Sequence, residues 1–519
     1  MENKDIPLEN RTLHKAPHMA ALVYTAFIAG LCSIIYELLI ATTASYFLGD
    51  SVKYFSLTIG IYMASMGIGS FVSKYIDDEL LYKFIIIEIV LGFFGGLCIP
   101  VLYFAYAFAN SFILFYILFT VIIGFLIGLE IPFLTRLMQN YDQLKFNIAN
   151  ILSFDYLGAF VATLSFPFFL LPFFGVYQSS LIFGLINMSI GFVILRVFSN
   201  DIGKGTAKLK AITIVLTTCL VGVIIFSSVA LKHWDQRLYD DRVIYSDQSS
   251  YQRIVLTKHK DDIRLFLNGN LQFSSVDEHR YHESLIGVPL ALHDKVVRKV
   301  LLLGAGDGIA IRELLKYPTI EEITLIDLDE KIIQLAKDNP HLKEINKDSL
   351  RSPKVHVIIS DAFSYLAQNT ILFDFIIADL PDPNNNALVR LYSKQFYQLV
   401  RNNLSENGVF VTQATSPYFA TNAFWSIKKT VAASGFDYIY PYHTEVPSFG
   451  NWGFILASSR KYDINHSRVT VETRFLDETN FSSLFVFEKD IQEGDVSINT
   501  LDRPVLLNYY LSGWKHYSR

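Results

Sequence analysis

The chain has 519 residues, a net charge of −5, 51% hydrophobic residues and a mean hydropathy of +0.32. It is too apolar for an ordinary soluble protein and longer than one domain needs. Without a basic stripe, its charge speaks against nucleic acid as a partner.

Residues 1–18 are polar and read as an N-terminal tail. The run that follows is too long for the core of a cleaved signal and reads as a first membrane span. Hydropathy marks seven such segments: Met19–Ala41, Phe55–Val72, Phe84–Ala107, Ser111–Leu134, Leu152–Phe173, Ser179–Phe198 and Ala211–Leu231. Together they predict a transmembrane helical bundle over 19–231 and a multi-pass protein of the cell (inner) membrane, with the lipid bilayer as a partner. Small residues crowd the second segment ("TIGIYMASMGIGS"), which lets helices approach closely. Pro167 and Pro172 are expected to bend or end the fifth. Glu37, Glu130 and Asp155 lie in or near spans, as interhelical hydrogen-bonding groups or as a path for a cation such as a polyamine. Cys32, Cys98 and Cys219 sit far apart inside the apolar runs and read as small hydrophobes, with neither a disulfide framework nor a thiolate metal site.

Orientation is in conflict. Lys4, Arg11 and Lys15 place the N-terminus in the cytoplasm by the positive-inside rule. Seven spans would then carry the C-terminal half to the other side, whereas a domain using a metabolic ligand belongs in the cytoplasm. The reading favours a cytoplasmic catalytic domain.

Past Lys232 the pattern changes. Residues 240–290 alternate apolar and polar, with turn signals at Lys260–Asp262 and Asn268–Asn270, and predict a small antiparallel β domain. From 291 the pattern is βαβ: a strand into "GAGDG", then strands Ile323–Asp327, Val355–Ser360, Phe373–Asp379 and Gly408–Gln413. This predicts a Rossmann-like α/β domain over 291–519 with a C-terminal extension. Residues 460–519 are expected to add strand and helix.

Ligands bind such sheets at the carboxyl ends of the strands. Asp307, Asp327, Asp361 and Asp379 lie at or just past strand ends and make an anionic crevice suited to a cation. Gly304, Gly306 and Gly308 let the backbone turn tightly against a ligand. Asp327 follows about 20 residues on, where an acid accepts hydrogen bonds from a ribose diol. These features point to a nucleoside ligand without separating a dinucleotide from adenosylmethionine, although the third glycine of the dinucleotide fingerprint is missing. Beyond Asp379, "DLPDP" places Asp382 on a proline-stiffened loop. Asp379 and Asp382 could cap the loop, bind a metal as D-x-x-D, or receive a cationic amine. Few oxygen ligands lie nearby, and "HESL" at His282 lacks the second histidine of a zinc helix, so no metal is expected.

From Ser250 to Phe454 the chain resembles spermidine synthases, the polyamine aminopropyltransferases. The motifs are "SYQRIVL", "LNGNLQFSSVDEHRYHE", "VLLLGAGDG", the strand ending at Asp327, "SDAFSYL", "DLPDP" and "GVFVTQ". With the apolar half in front, the whole looks like a membrane-integrated branch. The resemblance implies transfer of an aminopropyl group from decarboxylated S-adenosylmethionine, a co-substrate rather than a cofactor, to a diamine, foremost putrescine. It implies that Gln252 and Asp307 bind the aminopropyl end of the donor, Asp327 the ribose, and Asp361 with Ala362 the adenine. Tyr281 and His282 would line the junction on the amine side. Asp379 would be the base, Asp382 would hold the distal ammonium, and Gln413 would lie near the site. Soluble relatives form dimers or tetramers, which implies a homo-oligomer.

The chemistry agrees with the residues. A sulfonium leaving group needs no acid, whereas an ammonium acceptor must lose a proton before it attacks. Asp307 would repel the carboxylate of intact adenosylmethionine and attract the decarboxylated donor. The alternatives are a methyltransferase using intact adenosylmethionine, and a non-enzymatic membrane polyamine transporter or sensor. The sequence departs from the family at "DLPDP", usually serine-bearing, and at Phe449, which stands where soluble members carry a tyrosine. Ala305 in the glycine loop reads as a minor change.

Overall fold

The computed structural model describes residues 8–48, 51–109, 111–139, 144–202, 205–249, 251–515 and 517. The chain divides into two compact units, Met1–Asp240 and Asp241–Arg519.

The first unit is helical: α1 (Leu8–Leu48), α2 (Ser51–Ser73), α3 (Leu80–Phe104), α4 (Phe112–Met138), α5 (Leu144–Ser165), α6 (Leu171–Val197) and α7 (Thr206–Leu238). Helix α1 begins inside the expected polar tail, because no glycine or proline interrupts Leu8–Ala16 and Pro17 is absorbed within the helix; residues 1–7 lie outside the described part. Six continuous helical stretches among the described residues are long and apolar enough to cross a membrane. The fifth, Ile148–Val197, is 50 residues long and holds two of the seven expected segments. Its break is not at the prolines, which sit at or beside a π turn (Phe166–Leu170), but at Gly175 (φ 65°, ψ 179°). Helices pack in pairs with glycine on both partners. A Cβ on Gly128 of α4 would lie 2.1 Å from the Met66 carbonyl of α2, and one on Gly158 of α5 would lie 2.1 Å from that of Phe27 on α1. Glu130 is buried, whereas Glu37 and Asp155 are only partly covered. The sequence reading missed Glu88, fully buried on α3, whose Oε2 accepts from Asn187 Nδ2 at 3.2 Å.

The second unit opens with an antiparallel meander, β1 (Arg242–Gln248), β2 (Arg253–His259), β3 (Asp262–Leu267) and β4 (Asn270–Ser274). Left-handed Lys260 (φ 54°) and Asn268 (φ 51°) make its turns. It is not a separate domain: Ile254, Leu256, Leu265 and Phe273 share one core with Leu302 and Ile377 of the next sheet. Nor does 290/291 divide anything, since α8 (Glu278–Leu292) runs across it.

The larger sheet contains β5 (Lys299–Gly304), β6 (Glu322–Asp327), β7 (Val355–Ile359), β8 (Phe373–Asp379), β9 (Leu404–Gln413), β10 (Tyr438–Val446) and β11 (Gly450–Ser458). Their order is β10-β11-β9-β8-β5-β6-β7, with β11 antiparallel to both neighbours. Central strands are apolar on both faces. Val300 and Leu302 enter one core, Leu301 and Leu303 the other, as a period of two requires. The chain moves from β5 out to β7 and returns to β8, so the topological switch lies between β5 and β8, where Gly304 pairs with Asp379. No strand forms in 460–519 among the described residues, against expectation. Single apolar anchors (Leu476, Phe481, Ile491, Val496) pin an irregular segment that ends in the helix Leu506–Trp514.

Candidate active site

The loop after β5 is shaped by close backbone approach. Gly304 has φ +82°, and a Cβ there would lie 2.2 Å from the Asp379 carbonyl. At Gly306 a Cβ would lie 2.6 Å from Asp327 Oδ2. Gly308 (φ +81°) starts the helix Ile309–Leu314. Ala305 is not a neutral change, because it holds φ +64°, where an L-residue is strained by about 1–2 kcal/mol.

The donor-side acids are tied to nearby backbone. Asp307 Oδ1 accepts from the Ile309 N–H and Asp327 Oδ1 from the Asp329 N–H, each at 2.9 Å. Asp361 caps the helix Ala362–Gln368 through the Ser364 N–H (2.9 Å) and pairs with Arg390 at 2.5 Å. Ala362 is the first residue of that helix and is buried. Gln252 Nε2 donates to Asp329 Oδ2 at 2.9 Å, where Ser249 Oγ also donates at 2.6 Å. Asp329, a buried N-cap, was missed by the sequence reading; its place two residues after Asp327 was the available signal.

Asp379 ends β8, and Tyr281 Oη donates to its Oδ1 at 2.5 Å. Burial pushes Asp379 up to about 6, against the pull of His282 and the Tyr281 hydrogen bond. Burial alone would lower His282. Its bond from Nδ1 to Glu278 Oε2 (3.0 Å) and the charges of Glu278, Asp307 and Asp379 raise it to about 9. Burial would raise Glu278, but His282 and the two-pronged Arg312 (2.9 Å to each oxygen) hold it at about 2. His282 is buried with Nδ1 already committed to Glu278, and the charges of Asp307 and Asp379 favour its charged form. Neither Glu278 nor Arg312 was expected from the sequence.

Asp382 is half-buried beside the buried Gln413. Gln413 Nε2 donates to Asp382 Oδ1 at 3.3 Å and Thr415 Oγ1 to Oδ2 at 3.2 Å. Burial pushes Asp382 up to about 6 against these donors. Gln413 is itself held by Tyr392 Oη (2.5 Å) and the Leu380 carbonyl (2.6 Å). Phe449 meets Tyr281 edge-on at 6.1 Å between ring centroids. Thr415 and Tyr392 carry no local motif, and the sequence reading missed them. Burial raises Asp307, and it raises Asp327 to about 6. Ionised, these acids form one anionic rim that can bind a cationic amine and take its proton.

The Spermine/spermidine synthase domain model matches residues 278–468. A polyamine aminopropyltransferase of Leptospira interrogans is 40% identical over 497 residues, 95% of this chain and 98% of that protein. One from Oceanobacillus iheyensis is 38% identical over 513 residues, 97% and 99% of the two chains. Among solved structures, a spermidine synthase in complex with a transition state analogue aligns with a TM-score of 0.45 and 27% identity, over 48% of this chain and 87% of that one. With relatives of this identity matched along nearly the full length, the chain belongs to the polyamine aminopropyltransferase family, as a spermidine synthase-like transferase.

Proposed function

We propose that the enzyme transfers an aminopropyl group from decarboxylated S-adenosylmethionine to a diamine, foremost putrescine, giving spermidine and methylthioadenosine. The observation that carries this reading is the half-buried Asp379, held by Tyr281 at the carboxyl end of β8 with Asp382 three residues on. Asp382 holds the distal ammonium, and Asp379 orients the near one and takes its proton. The freed amine attacks the aminopropyl carbon bonded to sulfur. The carbon–sulfur bond breaks, and the sulfonium leaves as a neutral thioether. Asp327 holds the ribose, Asp361 and Ala362 the adenine, and Asp307 the donor's ammonium. Gln252 supports the donor end through Asp329.

The first unit is an integral membrane bundle of seven spans. Its outer faces expose large apolar side chains (Met63, Phe71, Leu114, Phe160, Phe226), whereas Glu88, Glu130 and Asn187 are buried, the reverse of a water-soluble bundle. Unbroken, Ile148–Val197 would measure about 75 Å, over twice the bilayer core, so it crosses twice. The catalytic unit faces the cytoplasm, which with seven spans puts the N-terminus outside, against the charge bias of Lys4, Arg11 and Lys15. Cysteine accessibility on either side of the membrane tests this placement.

The deciding assay offers decarboxylated and intact adenosylmethionine in parallel, each with putrescine, cadaverine, agmatine and spermidine. The expected result is methylthioadenosine and an aminopropylated amine from the decarboxylated donor alone. Adenosylhomocysteine would sink the reading in favour of a methyltransferase. Amine binding without turnover of either donor would favour a transporter or sensor.

A further inference from the structure

Thr415 stands where the chain leaves β9, and its backbone is strained. It is fully buried and holds φ 57°. The left-handed region is costly for any L-residue, and a β-branched one there is an outlier. Neighbours enforce the conformation. The Thr415 N–H donates to Gln413 Oε1 at 2.9 Å, and its carbonyl accepts from the Gly453 N–H of β11 at 2.8 Å. The adjacent Ala414 N–H donates to the Gly453 carbonyl, also at 2.8 Å. Glycine at this position would keep those bonds without strain. What threonine adds is a hydroxyl, 3.2 Å from Asp382 Oδ2.

The other oxygen of Asp382 is held less firmly. An amide nitrogen carries two hydrogens, and Gln413 Nε2 faces three acceptors: Tyr392 Oη at 2.5 Å, the Leu380 carbonyl at 2.6 Å and Asp382 Oδ1 at 3.3 Å. The longest of the three is the one an incoming ammonium displaces at least loss. We infer that Thr415 is a positioning residue for the acceptor amine: its hydroxyl fixes Asp382 through Oδ2 and leaves Oδ1 to the distal ammonium. The backbone strain at Thr415 is what aiming that hydroxyl costs. This rests on the acceptor reading of Asp382 given above.

The test uses the full-length enzyme, saturating decarboxylated adenosylmethionine and putrescine, with methylthioadenosine as the readout. Thr415→Val keeps the shape and the β-branch and removes the hydroxyl. The KM for putrescine is expected to rise about tenfold while kcat stays within about twofold, because a charge-assisted hydrogen bond is lost away from the reacting nitrogen. Thr415→Ser, which restores the hydroxyl, is expected to return KM to within about twofold of the wild type. Methylthioadenosine affinity by calorimetry, unchanged in each variant, checks the fold. If Thr415→Val loses that affinity, Thr415→Gly removes the hydroxyl together with the strain and carries the same expectation. Loss of affinity in both makes Thr415 part of the fold and overturns its role. So does an unchanged putrescine KM without the hydroxyl, a KM not restored in Thr415→Ser, or a fall in kcat at constant KM; each leaves the acceptor reading standing. A wild type silent with putrescine, cadaverine, agmatine and spermidine overturns the acceptor reading as well.

Discussion

The two ends of the crevice hold their acids by different means. At the donor end, Asp307, Asp327 and Asp361 each accept at 2.9 Å from a backbone N–H two or three residues ahead. At the proposed acceptor end, Asp379 and Asp382 accept from side chains 98, 31 and 33 residues away. A local turn sets its carboxylate as soon as strand and helix meet. A remote hydroxyl or amide sets one only when the whole unit has packed. The donor end is thus a product of local chain geometry, and the acceptor end of tertiary packing. Acceptor preference can therefore change through distant substitutions that leave donor recognition intact.

The sharpest way to break this contrast is Asp379→Asn. Turnover should fall about a thousandfold with methylthioadenosine affinity unchanged by calorimetry; a matching loss of affinity would show the two ends to be one. Asp327→Asn should do the reverse, weakening methylthioadenosine about ten- to hundredfold while the amine KM holds.

Tyr281→Phe should lower kcat/KM for the amine about tenfold at neutral pH. It should also move the acid limb of the profile. Asp379 must be ionised to accept a proton, so activity falls as pH drops through about 6. The Tyr281 hydrogen bond favours the ionised form, so its loss should shift the limb to higher pH; a shift to lower pH would contradict the geometry. The smallest effect is expected for Arg390→Ala. Arg390 is exposed and Asp361 keeps its backbone cap, so donor affinity should change no more than about threefold. A large change would mean that Asp361 is held by tertiary contact after all.

The same contrast explains what was legible in the sequence. The sheet, its glycine turn and the strand-end acids follow from short patterns, because apolar runs, glycines and N-cap acids act on their own neighbours. Asp379 and Asp382 stood out for the same reason. Their partners did not. Tyr392 and Thr415 read as ordinary core or turn residues until packing brings one to Gln413 and the other to Asp382. Gln252 was assigned by resemblance to the donor's aminopropyl end, and its bond to Asp329 was not foreseen, because that contact depends on how β2 and the turn after β6 meet. Residues 460–519 resisted reading because single apolar anchors leave no period to detect. In the helical unit, length and hydropathy located the segments, but Glu88 was overlooked inside an apolar run and the break at Gly175 was assigned to the prolines.

The pairing of Gly304 with Asp379 has a geometric consequence. Adjacent strands stand about 4.8 Å apart. On the proposed mechanism, the loop that would cradle the electrophile and the acid that would ready the nucleophile start from that one rung of the ladder. The sheet thus works as a ruler: the gap the amine must cross is inherited from interstrand spacing, and loops can change what is admitted at either end without recalibrating it.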